Sequence, residues 1–149
     1  MSAVNDRRAH HQVIEVQAED IDDLGHVNNG VYLRYVEDVV RAHADRVGMS
    51  LSVLRELGAI PVVRRHVVTY HRPAHLGDRL EVSTRIVSVR GPRATRHNEV
   101  RREAAGELLA EVETEWVWVH PETGRPRPIP GTILEAFGFP PASPQPPGQ

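Results

Sequence analysis

The sequence contains no cysteine and no lysine, and these two absences exclude several kinds of chemistry. Without cysteine there is no disulfide, no thiolate nucleophile and no cysteine-ligated metal, and such a composition fits a reducing cytoplasm. All 18 basic residues are arginine, so a Schiff base on a lysine is impossible. The candidate chemistry is therefore left to carboxylates, histidines, amides and backbone groups.

Long apolar runs and an excess of positive charge are also missing. No segment approaches the roughly 20 apolar residues of a membrane span, and the N-terminal segment lacks the apolar core of a signal peptide. A formal net charge of −2 and a pI near 6.5 give no reason to expect nucleic acid as a partner. We therefore expect a soluble cytoplasmic protein with no membrane span.

What the sequence does contain is enough apolar material for one domain. A chain of 149 residues with 40% hydrophobic content can bury a core without covalent cross-links. We predict that this domain spans residues 12–138. Residues 1–11 are polar and predicted to be flexible, and residues 139–149 form a proline-rich tail that is predicted to be disordered.

The most distinctive stretch is a polar loop that runs directly into an amphipathic helix. Residues 20–30 combine acids, a histidine, amides and glycines with little apolar mass, a composition that favours a site over a core. The following pattern predicts a helix over residues 30–47, capped by Asn28 or Asn29 and ended by Gly48. Its apolar stripe consists of Val31, Tyr32, Tyr35, Val36, Val39, Val40 and Val47.

The rest of the chain reads as a short helix followed by four strands. A helix is predicted over Leu51–Leu57, between Ser50 as its cap and Gly58. From residue 59 the apolar period changes to two for about sixty residues. The predicted strands are 60–70, 80–89, 93–102 and 108–118, with a change of parity at Ile86 and Val87 that indicates a bulge. Residues 12–18 are predicted to form a first strand and residues 133–137 a last helical turn.

This order of elements predicts an α+β fold. The turns between the last four strands are too short for parallel connections, so the strands must pair antiparallel. The simplest closed arrangement is one five-stranded antiparallel sheet wrapped around one long helix. Such a sheet leaves an edge exposed, and we therefore expect the protein to dimerise through it.

The loop and helix also resemble a known family. Residues 22–29, followed by Tyr32, Tyr35 and Glu37, resemble the hotdog-fold acyl-CoA thioesterases of the 4-hydroxybenzoyl-CoA thioesterase-like superfamily. The resemblance extends in pattern and length from about Val13 to Pro130. It implies a homodimer or homotetramer with a shared sheet, active sites at the subunit interface, and hydrolysis of a thioester of CoA or of an acyl carrier protein.

The same resemblance assigns catalytic roles within the loop. Asp22, four residues before His26, matches the family's catalytic carboxylate and would act as general base on water or as direct nucleophile. Backbone N–H groups from Asn29 to Val31 would stabilise the oxyanion at the helix start, and Gly30 would allow close approach. His26 and Asn29 would orient water, Asp22 or the thioester. The alternative for all three side chains is loop fixing and helix capping.

Substrate contacts are predicted on the helix and at strand ends. Tyr32 and Glu37 follow the loop on the helix, where Glu37 could touch the acyl group and Tyr32 could equally be core. The phosphates of CoA require cations, and a solvated charged face is the alternative for any one of them. The candidates are Arg64, Arg65, Arg90 and Arg93.

No metal and no organic cofactor is predicted, although the chain has nine histidines. Only His71 and His75 are spaced four apart, and a proline-containing turn separates them instead of a helix. Two other functions stay open. A binding protein or sensor for acyl-CoA or an acyl carrier would keep the pocket without needing Asp22. A hotdog hydratase ranks third because its aspartate and histidine are spaced differently.

Overall fold

The structure, a computed structural model, describes residues 6–141 and has the predicted α+β hotdog architecture. One long helix lies against a five-stranded, fully antiparallel sheet with the strand order β1-β3-β4-β5-β2. The elements are β1 (Ala9–Glu15), α1 (Val31–Arg46), α2 (Leu51–Leu57), β2 (Ile60–Tyr70), β3 (Arg79–Arg90), β4 (Arg93–Arg102), β5 (Leu108–Val119) and α3 (Gly131–Ala136).

The helix ends follow local sequence signals, with one exception. In α2 the Ser50 hydroxyl accepts from Val53 N, and Gly58 ends the helix at a φ of +81°. The predicted asparagine cap of α1 is wrong, because Gly30 occupies the cap position and no side chain caps it. The Asn28 carboxamide instead accepts from Gly30 N at 2.9 Å and closes the turn before the helix.

Both ends of the domain extend beyond the predicted bounds. Strand β1 begins at Ala9, so residues 9–11 are paired with β3 instead of flexible. At the other end, the Arg8 guanidinium lies 4.0 Å from the centre of the Phe139 ring and donates to the carbonyl oxygen of Gly138. Phe139 is therefore packed, and the rest of the predicted tail from residue 142 lies outside the described residues.

The core consists of two apolar clusters separated by a polar row. Near the start of α1, Tyr32, Tyr35 and Val39 pack on the sheet. Near its end, α2, α3 and the opposite end of the sheet form the second cluster. Four buried polar side chains lie between them on the face of the sheet toward α1: Thr84, Arg96, Asn98 and Thr114. No helix within residues 6–141 is both long and apolar enough to cross a membrane.

Candidate active site

The loop before α1 is closed by its own backbone hydrogen bonds. Ile21 and Val27 form an isolated antiparallel bridge, and Asp22 N donates to the carbonyl oxygen of His26 at 2.9 Å. Gly25 makes the turn at a φ of +80°, a conformation that favours glycine. The Asp22 side chain is half-buried, with one carboxylate oxygen accepting from Leu24 N at 2.9 Å. The loop thus holds the Asp22 carboxylate at a fixed place near the surface.

A second aspartate, Asp20, joins this loop to α1. Asp20 is buried, and its carboxylate accepts from Gln17 N, from the Tyr35 hydroxyl at 2.8 Å and from Arg34. Burial alone would raise the pKa of Asp20, but these three donors outweigh it and hold the pKa below its ordinary value. Burial and the neighbouring Asp20 carboxylate raise the pKa of Tyr35. Asp20 is therefore an ionised structural group, whereas Asp22 is the accessible carboxylate.

The start of α1 offers backbone donors, but not all those predicted. Gly30 N and Val31 N are already bonded to the side chain and the carbonyl oxygen of Asn28. Within residues 6–141, no protein acceptor meets the N–H groups of Asn29, Tyr32 and Leu33. Of these residues only Asn29 is exposed. The Asn29 N–H is thus the most accessible donor for an anion at this helix end.

The segment from Tyr70 to Asp78 holds the loop and helix start together, and sequence reasoning did not assign it to the site. The Tyr70 hydroxyl donates to the carbonyl oxygen of Asn29 at 2.7 Å. Ala74 accepts from Val27 N at 2.9 Å, and its own N–H donates to the Tyr32 hydroxyl at 3.1 Å. The sequence does not reveal this role, because the pairing of the segment with the loop depends on tertiary structure.

Two histidines meet at this loop. The rings of His26 and His75 are 5.2 Å apart between centroids and nearly perpendicular. His26 is half-buried and His75 is exposed. Asp22 and His26 belong to one turn through the backbone hydrogen bond between them, and a role for the His26 side chain stays a prediction.

The predicted substrate residues are only partly brought to this loop. Tyr32 is buried as part of the core, and Glu37 is exposed about two turns along α1 with no partner among the described residues. The four arginines are exposed, about 15–25 Å along the strands from Tyr70. Arg90 and Arg93 flank the turn between β3 and β4, whereas Arg64 and Arg65 lie in the middle of β2 and not at a strand end. Arg64 and Arg93 share the Glu115 carboxylate, at 2.6 and 3.2 Å. Contacts of Arg64, Arg65, Arg90 and Arg93 with a ligand stay a prediction.

The donor set of the loop does not suit a metal. Across residues 6–141, no group of three or more histidine, aspartate or glutamate side chains is placed to hold one. The arrangement instead combines one accessible carboxylate with unpaired N–H groups at a helix start. Such a pair can activate water or attack a carbonyl on one side, while it stabilises a developing oxyanion on the other.

The chain is similar to known proteins in both sequence and structure. The sequence profile of the thioesterase-like superfamily matches residues 16–137. The chain is 32% identical over 128 residues to the acyl-CoA thioester hydrolase YbgC of Escherichia coli O6:H1, a match that covers 83% of this chain and 92% of that protein. The profile match includes the loop, α1 and strands β2 to β5.

Solved structures agree with the fold. A 1,4-dihydroxy-2-naphthoyl-CoA thioesterase from Synechocystis superposes with a TM-score of 0.79 at 21% identity, covering 87% of this chain and 95% of that one. A DHNA-CoA thioesterase from Staphylococcus aureus superposes with a TM-score of 0.73 at 22% identity, covering 80% of each chain. At these identities the likeness concerns the hotdog architecture.

Proposed function

The chain belongs to the thioesterase-like superfamily, and from this membership we propose that it hydrolyses the thioester bond of an acyl-CoA to a free acid and CoA. Its relative in Escherichia coli carries the name of an acyl-CoA thioester hydrolase, and this chain covers nearly all of it. The acyl group that it prefers is a matter for experiment. A cytoplasmic location fits the same proposal.

The observation that carries the mechanism is the contrast between the two aspartates of the loop. Asp20 is buried and has all its partners within the protein, whereas Asp22 is partly exposed, and the one partner of its carboxylate among the described residues is Leu24 N. Asp22 would therefore act on the substrate, as general base on water or as nucleophile toward the thioester carbonyl. His26 would orient the attacking water or the carboxylate from the other side of the turn.

The oxyanion would be stabilised at the start of α1. An attack on the thioester puts negative charge on the carbonyl oxygen, and unpaired N–H groups with the helix dipole stabilise such charge. We assign this role to the Asn29 N–H in the first place, because Gly30 N and Val31 N are occupied by Asn28. No metal or organic cofactor takes part in this scheme.

Thiol release from a panel of acyl-CoAs tests the proposal. We expect turnover that survives EDTA, and a fall of about a hundredfold or more in Asp22→Asn, which keeps the size of the side chain but loses its charge. Asp23→Asn is the matched control, because Asp23 is an exposed acid of the same loop and should retain near-normal turnover. A non-hydrolysable acyl-CoA thioether should bind Asp22→Asn as well as the parent.

Two results would contradict the assignment. If Asp22→Asn hydrolysed thioesters at the parental rate, Asp22 would be a loop acid without a catalytic role. If the unmutated protein bound acyl-CoA and cleaved none of the panel, the sensor function would replace the enzyme.

A further inference from the structure

A second candidate site lies at the other end of α1, inside the second apolar cluster. The cavity there has a volume of about 60 Å³ and lies between the end of α1, the sheet and α3. Its walls are apolar and include Ile86, Ala94, Ile133 and Phe137. The one charged side chain in its lining is that of Arg96, from the middle of the sheet.

Arg96 is buried without a counter-ion among the described residues. The residue is only 7% exposed, and its hydrogen-bond partners among the described residues are His43 Nδ1 at 2.9 Å and Thr84 Oγ1 at 3.1 Å, both through Nη1. No carboxylate within residues 6–141 pairs with this guanidinium, and no protein acceptor there meets its Nε or Nη2. Arginine buried in this way normally has an anionic partner.

The partners of Arg96 are neutral at pH 7. Burial, followed by the Arg96 charge, lowers the pKa of His43 to about 4. His43 Nε2 lies 2.7 Å from the carbonyl oxygen of Arg7, so that nitrogen carries the hydrogen and Nδ1 accepts from Arg96. Burial lowers the pKa of Arg96 itself to about 10, which still leaves the guanidinium charged. The positive charge is therefore not neutralised by its neighbours.

A second donor in the same lining also lacks a partner. The indole N–H of Trp116 is buried, and no acceptor within residues 6–141 meets it. A buried donor without an acceptor costs free energy, and here the Trp116 indole N–H adjoins the same apolar cavity as the Arg96 charge, which has no counter-ion among the described residues. A ligand that suits this lining must accept hydrogen bonds, carry negative charge and present an apolar body.

We propose that this cavity is a binding site for a short-chain aliphatic carboxylate, whose head group pairs with Arg96 and Trp116. The volume is about four times the minimum for one water, which suits a chain of roughly three to five carbons. Val40 and Ala44, on the α1 wall, lie about 15–20 Å along the helix from Gly30. The site is thus separate from the loop of Asp22 and does not depend on the proposed function.

The two tryptophans of the chain provide the test, because Trp116 and Trp118 both line the cavity. In ¹⁵N-labelled protein each gives one indole N–H resonance, and Trp116→Phe assigns them. We expect butyrate to shift the Trp116 resonance saturably, with a dissociation constant in roughly the millimolar range for so small a ligand. Butyramide has the same shape without the charge and should bind at least about tenfold more weakly.

Variants then locate the charge that recognises the ligand. Arg96→Met should weaken butyrate binding at least about tenfold, whereas Arg41→Met, which removes an exposed arginine of α1, should leave it unchanged. Asp22→Asn should also bind butyrate normally. Equal binding of butyrate and butyramide to the unmutated protein would overturn the proposal, and so would normal butyrate affinity in Arg96→Met. If Arg96→Met did not fold, the butyrate and butyramide comparison would still decide.

Discussion

At the scale of single residues, two tyrosines hold the candidate site in different ways. Tyr70 is 45% exposed and donates to the carbonyl oxygen of Asn29, the residue whose N–H we assign to the oxyanion. Tyr32 is buried, and its hydroxyl accepts from Ala74 N. The first contact holds the backbone carbonyl of Asn29, and the second satisfies a buried backbone donor.

Phenylalanine substitutions should separate these two roles. We expect Tyr70→Phe to lower kcat/KM about five- to tenfold with little change in stability, because one positioning hydrogen bond is lost at an exposed site. Tyr32→Phe should instead cost about 1–3 kcal/mol of unfolding free energy, because Ala74 N loses its acceptor. Thiol release and urea denaturation measure the two effects. Unchanged kcat/KM in Tyr70→Phe would show that the Asn29 contact does not position the site.

How much of the site the sequence predicts differs from residue to residue. The loop around Asp22 was predictable because its composition is local and resembles a family pattern. That Asp20 is the buried anchor was not, because its partners Arg34 and Tyr35 become its neighbours only when the loop folds back on α1. Asn28 was predicted to be a candidate helix cap, yet its short carboxamide accepts a hydrogen bond from Gly30 N, two residues ahead and before the first turn of the helix.

At the scale of elements, one buried histidine joins three parts of the fold. His43 on α1 contacts Arg96 on β4 and the backbone of Arg7, just before β1. Its ring also stacks on His10 of β1 at 6.1 Å between centroids. Burial is the largest cause of the lowered pKa of His43. The titratable groups that face it, Arg96, Arg46 and His10, are all basic and lower this pKa further. Protonation of His43 therefore opposes the packing of α1 on the sheet.

This linkage predicts a stability that falls as the solution becomes acidic. The pKa of His43 is about 4 in the folded state against 6.5 as the reference value, so the unfolded chain binds more protons between these pH values. The free energy of unfolding should fall by on the order of 3 kcal/mol from this residue as pH drops from 6.5 to 4. Above pH 6.5 the contribution is constant. Urea denaturation across this range measures the slope.

Two glutamine variants test whether His43 causes this dependence of the unfolding free energy on pH. The His43→Gln variant should be less stable than the parent at pH 7, but its free energy of unfolding should change less between pH 6.5 and 4. Part of the slope should stay, because burial also lowers the pKa of His10. His11→Gln changes an exposed histidine and should follow the parent. An unchanged slope in His43→Gln would show that its protonation is not linked to unfolding.

Element boundaries were predictable where local chemistry sets them. The bounds of α2 follow from Ser50 and Gly58, and the bulge opposite β4 follows from the change of parity after Ile86. Strand β1 was placed three residues too late, because its ends are set by pairing with β3 across the sheet and not by its own pattern. The polar row beneath α1 was not predicted, because the sequence of β4 is very polar throughout and does not show which of its polar side chains the sheet buries.

At the scale of the whole molecule, strand β2 is an edge of the sheet that exposes apolar side chains. It is an edge strand of eleven residues, and in one protomer the apolar side chains of Val62, Val63, Val67 and Tyr70 are 39–45% exposed. A long apolar edge of this kind promotes pairing with another strand unless it is covered. The same strand ends at Tyr70, which contacts the candidate site.

These features predict a homodimer or a larger even assembly, paired through β2 and burying at least roughly 1,000 Å². Sedimentation at micromolar concentration should show no stable monomer. The double variant Val63→Arg/Val67→Arg places one charge on each face of β2. It should shift the protein toward monomer, because burying unpaired charges is costly. Val87→Arg, at a 53% exposed position of the interior strand β3, should leave the assembly intact.

If β2 pairing also completes the site, thiol release should fall with the dimer fraction and recover at higher protein concentration. A stable, active monomer of the unmutated chain would exclude both the shared sheet and a site at the interface.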